Sequence, residues 1–425
     1  MESSTIPEIE PIVPLSSAQS QRIAATIQEI WPQACTLLRE LVEENSYTLN
    51  AEGVRENARR IVARFAPLNF LPQLVPSRRP GTAEHLFLDS GGSGPAILLI
   101  SHLDTVYLPE EQQAGFSGWD DTQNRVSGPG TYDIKGGTAA IWMLVKCLME
   151  EDPESFSRHR WILGWNASEE MLSADFSEAA REIAGNDLLA CLVFEGDNRR
   201  QEGLEIITAR SGLAHFRIRV KGRSSHSGNS HASGINAIVR LAEIVGQVSV
   251  LTDYARHTTV NIGVIRGGVT TNRVPDFAEA MLEIRYRDPS HFAEVKAAIT
   301  GFSDAGGGID APGGARAEVL VEAQGEIPFW PEADSSQKLT ELWIRAGKQC
   351  GQPVSVGRRS GLSDANYFAS HYPTLDGLGP RGGNAHTIVP DGSSVRITEF
   401  IDLASLQTKT LVNATAVLEL TKKTF

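Results

Sequence analysis

The segment Ala96-Ile97-Leu98-Leu99-Ile100-Ser101-His102-Leu103-Asp104 decides the fold class. An unbroken apolar run of this length reads as a strand buried on both faces, the kind found in parallel sheets. It ends in polar residues, and the C-terminal ends of strands are where open α/β sheets keep their ligands. His102 and Asp104 stand two residues apart on extended chain, so their side chains leave on the same side. A carboxylate so placed can hold one imidazole nitrogen while the other faces a metal ion.

The same pattern recurs downstream. Arg160 to Asn166 runs into Ala167-Ser168-Glu169-Glu170, and Leu188 to Phe194 runs into Glu195-Gly196-Asp197. Asp133 follows Ser127-Gly128-Pro129-Gly130 and precedes Lys135-Gly136-Gly137 and an apolar helix over 138–149. Amphipathic periodicity predicts helices over 16–43 and 51–65, a further strand over 85–89, and a polar loop over 107–129. Alternating strands and helices predict an α/β fold, a mainly parallel sheet flanked by helices.

From about Ser211 the pattern changes. Ala214 to Val220 alternates apolar and polar, then come a helix over 235–249, strands over 258–266 and 277–287, a helix over 291–302 and a strand over 316–322. This β-α-β-β-α-β order is that of a ferredoxin-like α+β unit, with the glycine-rich stretch 305–314 as a loop before its last strand. The α/β pattern then returns with a helix over 335–350, a strand over 374–378 and a final helix over 397–421. The predicted organisation is a larger domain over 1–211 and 324–425 with the smaller unit inserted at 212–323.

The chain has 425 residues, enough for two domains, and 41% hydrophobic against 21% charged residues, as globular proteins do. A formal net charge of -13 with no basic run excludes nucleic acid and anionic membrane surfaces as partners. No apolar run reaches the length of a membrane span, and residues 1 to 20 lack the pattern of an export signal. The four cysteines, Cys35, Cys147, Cys191 and Cys350, are far apart and read as reduced core thiols. The expected compartment is the cytoplasm.

The candidate metal ligands are His102, Asp133, Glu170, Glu195 and His386, the last in Gly-Gly-Asn-Ala-His-Thr. Two imidazoles and three carboxylates suit zinc, cobalt or manganese. They exceed what one tetrahedral ion needs, whereas two ions sharing a carboxylate would use them all. Glu169 is left over beside Glu170 and is the natural general base for a water held there. Asp197, two residues beyond Glu195, competes with it as a ligand. His231 and His257 read as surface residues.

Taken together, His102-Leu103-Asp104-Thr105-Val106-Tyr107, Gly128-Pro129-Gly130 with Asp133-Ile134-Lys135-Gly136-Gly137, Glu169-Glu170, Phe194-Glu195 and His386 resemble the signatures of one family. It is the co-catalytic dizinc metallopeptidase and amidohydrolase family that includes aminoacylases, acetylornithine deacetylase and succinyl-diaminopimelate desuccinylase. The His-x-Asp-Thr-Val-Tyr form, Ser211-Gly212-Leu213-Ala214 and Asp364-Ala365 resemble its bacterial glutamate carboxypeptidase branch. The resemblance implies two Zn2+ per subunit, with Co2+ or Mn2+ as substitutes. Asp133 would bridge them, His102 and Glu195 completing one site and Glu170 and His386 the other. Asp104 would orient His102, and Glu169 would be the base that later becomes the acid. The inserted unit resembles the family's lid, through which it forms a homodimer. His226, in Gly222-Arg223-Ser224-Ser225-His226-Ser227-Gly228, matches a histidine that reaches the partner's site to hold an oxyanion. Asn272, before Val274-Pro275 on that unit, and Arg285 match groups that bind the substrate carboxylate, with Arg287 a competitor and Arg358, Arg359 and Arg381 further candidates.

Two departures touch the pocket: Met171-Leu172 follows the glutamate pair, and Gly196-Asp197 follows Glu195. The expected activity is hydrolysis of an amide bond next to a free carboxylate, in a small peptide or an N-acyl amino acid. The alternative within this chemistry is an N-acyl amino acid deacylase or a specialised biosynthetic amidohydrolase. A reading from another class is a metal-dependent binding or regulatory protein that holds a small peptide without turnover; loss of Glu169 or of a ligand would favour it, and neither is lost.

Overall fold

The structure is a computed structural model that describes residues 17–119, 124–185, 187–198, 203–303, 316–332 and 334–422. The glycine-rich stretch 305–314 lies outside the described residues, as do residues 1–16. The chain divides into two compact units. One holds the chain up to Ala209 together with Glu332–Arg358 and the part from Ser363 onward; the other holds Arg210–Pro331 and Arg359–Leu362.

The larger unit begins with α1 (Ala18–Glu43) and α2 (Ala51–Phe65), each started by a side-chain cap: Ser17 accepts from the N–H of Ser20, and Asn50 from that of Gly53. Helix α1 buries Ile23, Ile27, Ile30, Leu37, Leu38 and Leu41, the spacing of one helical face. There follow β1 (Leu71–Val75), β2 (His85–Asp89), β3 (Ala96–His102), α3 (Pro109–Gly115), β4 (Arg125–Ser127), α4 (Gly136–Glu151), α5 (Pro153–Arg158), β5 (Arg160–Asn166), α6 (Ala174–Ala184), β6 (Leu188–Val193) and β7 (Leu204–Arg210).

The smaller unit contains β8 (Gly212–Lys221), α7 (Ala237–Ser249), β9 (Thr259–Gly267), β10 (Phe277–Tyr286), α8 (Pro289–Thr300) and β11 (Glu318–Ile327). Its four strands are ordered β11-β8-β10-β9 with every pair antiparallel, the ferredoxin-like arrangement. Phe216, Ile218, Val220, Leu241, Ile244, Ile284 and Val295 form its own core.

The chain returns to the larger unit with α9 (Asp334–Gln349), β12 (Val354–Arg359), α10 (Ala365–Phe368), β13 (Thr374–Leu375), β14 (Gly382–Gly383), β15 (Ile388–Asp391), β16 (Ser394–Ile397), β17 (Phe400–Asp402) and α11 (Leu403–Lys422). The main sheet runs β1-β2-β5-β3-β6-β13. The pairs β5-β3, β3-β6 and β6-β13 are parallel, while β1-β2 and β2-β5 are antiparallel. All seven residues of β3 are buried, as its apolar run requires. Helix α4 is buried almost all round and packs its N-terminus on the end of β6. A Cβ at Gly137 would stand 2.1 Å from the carbonyl oxygen of Phe194, so only glycine permits that approach.

The structure departs from the sequence pattern at the C-terminus. Residues 397–402 are not helical: β16 ends at Ile397, β17 runs from Phe400 to Asp402, and α11 starts at Leu403 where Asp402 accepts the N–H groups of Ala404 and Ser405. The strand expected over 374–378 stops at Leu375, because the chain turns at Gly377 with φ +72. The polar loop over 107–129 contains α3 and β4.

Candidate metal centre and catalytic residues

In the larger unit the ends of β3, β5 and β6 lie side by side, because β3 pairs in parallel with both neighbours. That register places His102 opposite Asn166, three residues before Glu169. The Nε2 of His102 lies 2.9 Å from Oδ1 of Asp133, and the Nε2 of His386 lies 3.3 Å from Oδ2 of the same carboxylate. His386 is also 3.2 Å from Oε1 of Glu170. Among the described residues, one ligand atom each from His102, Asp133 and Glu170 lie within 4.8 Å of one another. Glu195 does not join that group; it stands half-buried after β6, and its charge acts on Glu169.

Asp104 is a larger organiser than an imidazole support. Its carbonyl oxygen accepts from Nδ1 of His102 at 2.9 Å, with the carboxylate farther off at 3.5 Å. The carboxylate accepts the main-chain N–H groups of Glu169 and Glu170, at 3.1 and 3.3 Å, and the hydroxyl of Thr48 at 2.7 Å. One buried aspartate therefore fixes the histidine, the candidate base and a candidate ligand together. Asn166 supports the same turn: its oxygen accepts from the Ser168 N–H and the Ser173 hydroxyl, and its amide donates to Asp364 at 2.9 Å.

The electrostatics describe a site crowded with acids. Burial and the charges of Glu170, Glu195 and Asp364 hold Glu169 well above the usual carboxylate range, against the pull of His102. Burial and the charge of Asp133 push Glu170 up to about 7, and burial pushes Asp364 to about 7. Burial disfavours charge on His102 and on Asp133 too, but the carboxylates of Asp104 and Asp133 raise His102 well above the usual imidazole range, and His102 and His386 hold Asp133 below the usual carboxylate range. His386 is raised to about 11 by Asp133 and Glu170. In the apoprotein two imidazolium groups supply the positive charge that these carboxylates demand. Oxygen and imidazole donors packed this way fit divalent metal ions, for which the ligands must shed their protons.

Asp197 is removed from the ligand contest. It is fully buried and bonded to Nζ of Lys409 at 3.1 Å, and it accepts the N–H of Glu205. One residue outside the expected set also matters. Glu399, wholly buried, accepts the main-chain N–H groups of Tyr132 and Asp133 and the hydroxyl of Tyr107. It is pushed up to about 7, chiefly by burial and then by the charge of Asp133. Glu399 follows β16 as Glu169 and Glu195 follow their strands, so the strand-to-carboxylate signal was present but lay inside the segment expected to be helical. Beside the turn that carries Asp133 lies a cavity of about 940 Å³, lined among others by Arg125, Tyr132, Arg381 and Asn384.

In the smaller unit, His226 is exposed on the loop after β8, and its Nδ1 accepts the N–H groups of Gly228 and Asn229, both at 3.1 Å. A neutral imidazole so held carries its proton on Nε2, which is left as a donor. Asn272 joins the same loop, its carbonyl accepting the N–H of Ser227. Arg285 is ion-paired with Glu283 at 2.6 Å and donates to the carbonyl of Ser360. Arg287 donates to the hydroxyls of Ser211 and Ser360. Arg358, in the larger unit, is ion-paired with Glu332.

Residues 208–308 match the peptidase dimerisation domain of the M20 family. Carboxypeptidase G2 of Pseudomonas sp. (strain RS-16) is 26% identical over 403 residues, covering 93% of this chain and 91% of that protein. The chain thus carries a segment like the M20 dimerisation domain and resembles carboxypeptidase G2 along nearly its whole length. It is also 24% identical over 391 residues to succinyl-diaminopimelate desuccinylase of Rhodospirillum centenum, covering 88% of this chain and 95% of that one. Its fold is shared by the Bacillus subtilis YxeP protein, a dinuclear metal-binding peptidase of the M20 family. That match has a TM-score of 0.60 at 16% identity, covering 92% of this chain and 99% of that one. The M20 relatives are hydrolytic enzymes, and this chain is an enzyme of the same metallopeptidase and amidohydrolase type. Among the described residues no helix is long and apolar enough to cross a membrane.

Proposed function

We propose that the protein hydrolyses an amide bond next to a free carboxylate, in the manner of a glutamate carboxypeptidase, at a centre of two zinc ions. The observation that carries this reading is the placement of Asp133, which offers one oxygen to the His102 side and the other to the His386 side. His102 and Glu195 would hold one ion, Glu170 and His386 the other, with Asp133 shared. When bound, such ions supply positive charge that polarises an amide carbonyl and acidifies water.

The protein's own groups do the rest. Glu169, oriented through its main-chain N–H by Asp104, takes a proton from the attacking water and delivers it to the leaving amine. A base of raised proton affinity suits both halves of that task. His226 of the partner subunit, with its proton on Nε2, would donate to the oxyanion, a role worth about 3 to 4 kcal/mol of barrier. Of Arg285, on β10, and Arg287, just beyond its end, Arg287 is the better carboxylate grip, because Arg285 already spends its charge on Glu283 whereas Arg287 meets hydroxyls. Asn272 would assist it. The dimerisation domain supports a homodimer as the working form, and the cytoplasm is the proposed compartment.

The test is amine release from a panel of N-peptidyl and N-acyl amino acids by zinc- and cobalt-loaded enzyme, beside Glu169→Gln. The expected result is turnover concentrated on acidic C-terminal residues, with Glu169→Gln slowed by roughly 10²- to 10⁴-fold while its metal content is unchanged. Turnover of acyl amino acids alone would select the deacylase alternative. Full activity in Glu169→Gln would remove that residue from the role of base.

A further inference from the structure

The turn that presents Asp133 is held from behind by a residue to which the mechanism above gives no part. The main-chain N–H groups of Tyr132 and Asp133 converge on Oε1 of Glu399, at 2.8 and 2.9 Å. Oε2 accepts the Tyr107 hydroxyl at 2.7 Å, and the carbonyl oxygen of Glu399 accepts the N–H of Gly128 at 2.9 Å. One buried residue thus joins three separate parts of the chain: the segment that follows His102, the turn that carries Asp133, and the strand pair that follows His386.

We propose that Glu399 is a positioning residue of the metal centre, fixing the Asp133 turn so that each carboxylate oxygen faces a different histidine. This rests on reading Asp133 as the shared ligand. Two consecutive N–H groups can meet one oxygen only if the chain between them is held in one direction, and the Asp133 side chain departs from that stretch. A carboxylate suits the position because all three groups around it are donors and it is an acceptor throughout. Glutamine keeps an oxygen for the two N–H groups and turns its amide toward Tyr107, whose hydroxyl can reverse and accept. Alanine leaves three donors unpaired in a dry interior. Aspartate keeps the charge but is one methylene too short to reach.

The experiment titrates the metal-free protein with Co2+ and follows the visible absorption of the bound ion, for wild type and for Glu399→Ala, Glu399→Asp and Glu399→Gln. Asp133→Asn is the calibrator, and each protein is held below its unfolding temperature. Loss of an outer partner of a ligand typically weakens metal binding or activity about 10- to 100-fold, so Glu399→Ala and Glu399→Asp should bind Co2+ more weakly by that factor. Their kcat should fall while KM stays within about twofold, and Glu399→Gln should recover most of the affinity. A role in folding alone would lower the yield of folded protein without moving its Co2+ affinity. Should Glu399→Ala not fold, the comparison of aspartate with glutamine carries the test. Wild-type affinity in Glu399→Asp, with Asp133→Asn impaired, overturns the proposal and leaves the metal centre standing. Wild-type affinity in Asp133→Asn overturns the shared-ligand reading itself.

Discussion

At the scale of single residues, the centre is an acid cluster balanced by two imidazolium groups, and that balance fixes how metal loading depends on pH. His386 is raised to about 11, chiefly by Asp133 and Glu170, and His102 is raised well above the usual imidazole range by Asp104 and Asp133, which outweigh burial. A histidine must be neutral to ligate, so on the proposed ligand set each gives up its proton when an ion enters. The sign follows: loading at pH 7 releases protons, and affinity falls as pH is lowered. Calorimetric titration with Zn2+ in buffers of different ionisation enthalpy should show on the order of two protons released per chain. A signal independent of the buffer would mean that the histidines are not ligands. That these acids and histidines gather was legible in sequence because carboxylates recur where apolar runs stop. The finer roles were not. That Asp104 accepts the N–H groups of Glu169 and Glu170 depends on a register between β3 and β5 that no local pattern encodes.

At the scale of elements, long periodic segments declared themselves and short ones did not. Helices α1, α2 and α4 and strands β3 and β5 each bury a continuous face, which leaves a pattern. Strands β14 and β17 have two and three residues, too few for a period, and exist through pairing with each other and with the remote β4. Helix α11 shows what such remote partners contribute. Its Lys409 side chain is 2% exposed and its ammonium reaches Asp197 and the carbonyls of Glu205 and Gly377, joining the helix to the chain after β6. Replacing Lys409 with Met leaves the Asp197 carboxylate buried without its cation, a loss of about 3 to 5 kcal/mol. The urea midpoint should fall accordingly, and adding Asp197→Asn should restore much of it. A Lys409→Met midpoint equal to that of wild type would show that the ammonium does not neutralise Asp197.

At the scale of the whole molecule, the ferredoxin-like order was legible because its six elements follow in sequence, and residues 208–308 match a dimerisation domain. On the proposed mechanism, which subunit's His226 completes which centre is not a property of any one chain's pattern, and it decides how two damaged copies behave together. In a Glu169→Gln chain the base is lost and His226 is intact; in a His226→Ala chain the reverse holds. Suppose that each centre is completed by His226 of the partner subunit. A mixed dimer then has one centre with both groups, formed by the base of the His226→Ala chain and the histidine of the Glu169→Gln chain, and one with neither. Random pairing of equal amounts makes half of the dimers mixed, so co-expressed chains should regain roughly a quarter of wild-type activity although each variant alone is nearly inactive. Mixed dimers isolated by two affinity tags should reach about half. If His226 served its own chain, no pairing would assemble a complete centre, and the mixed dimers would be as inactive as their parents.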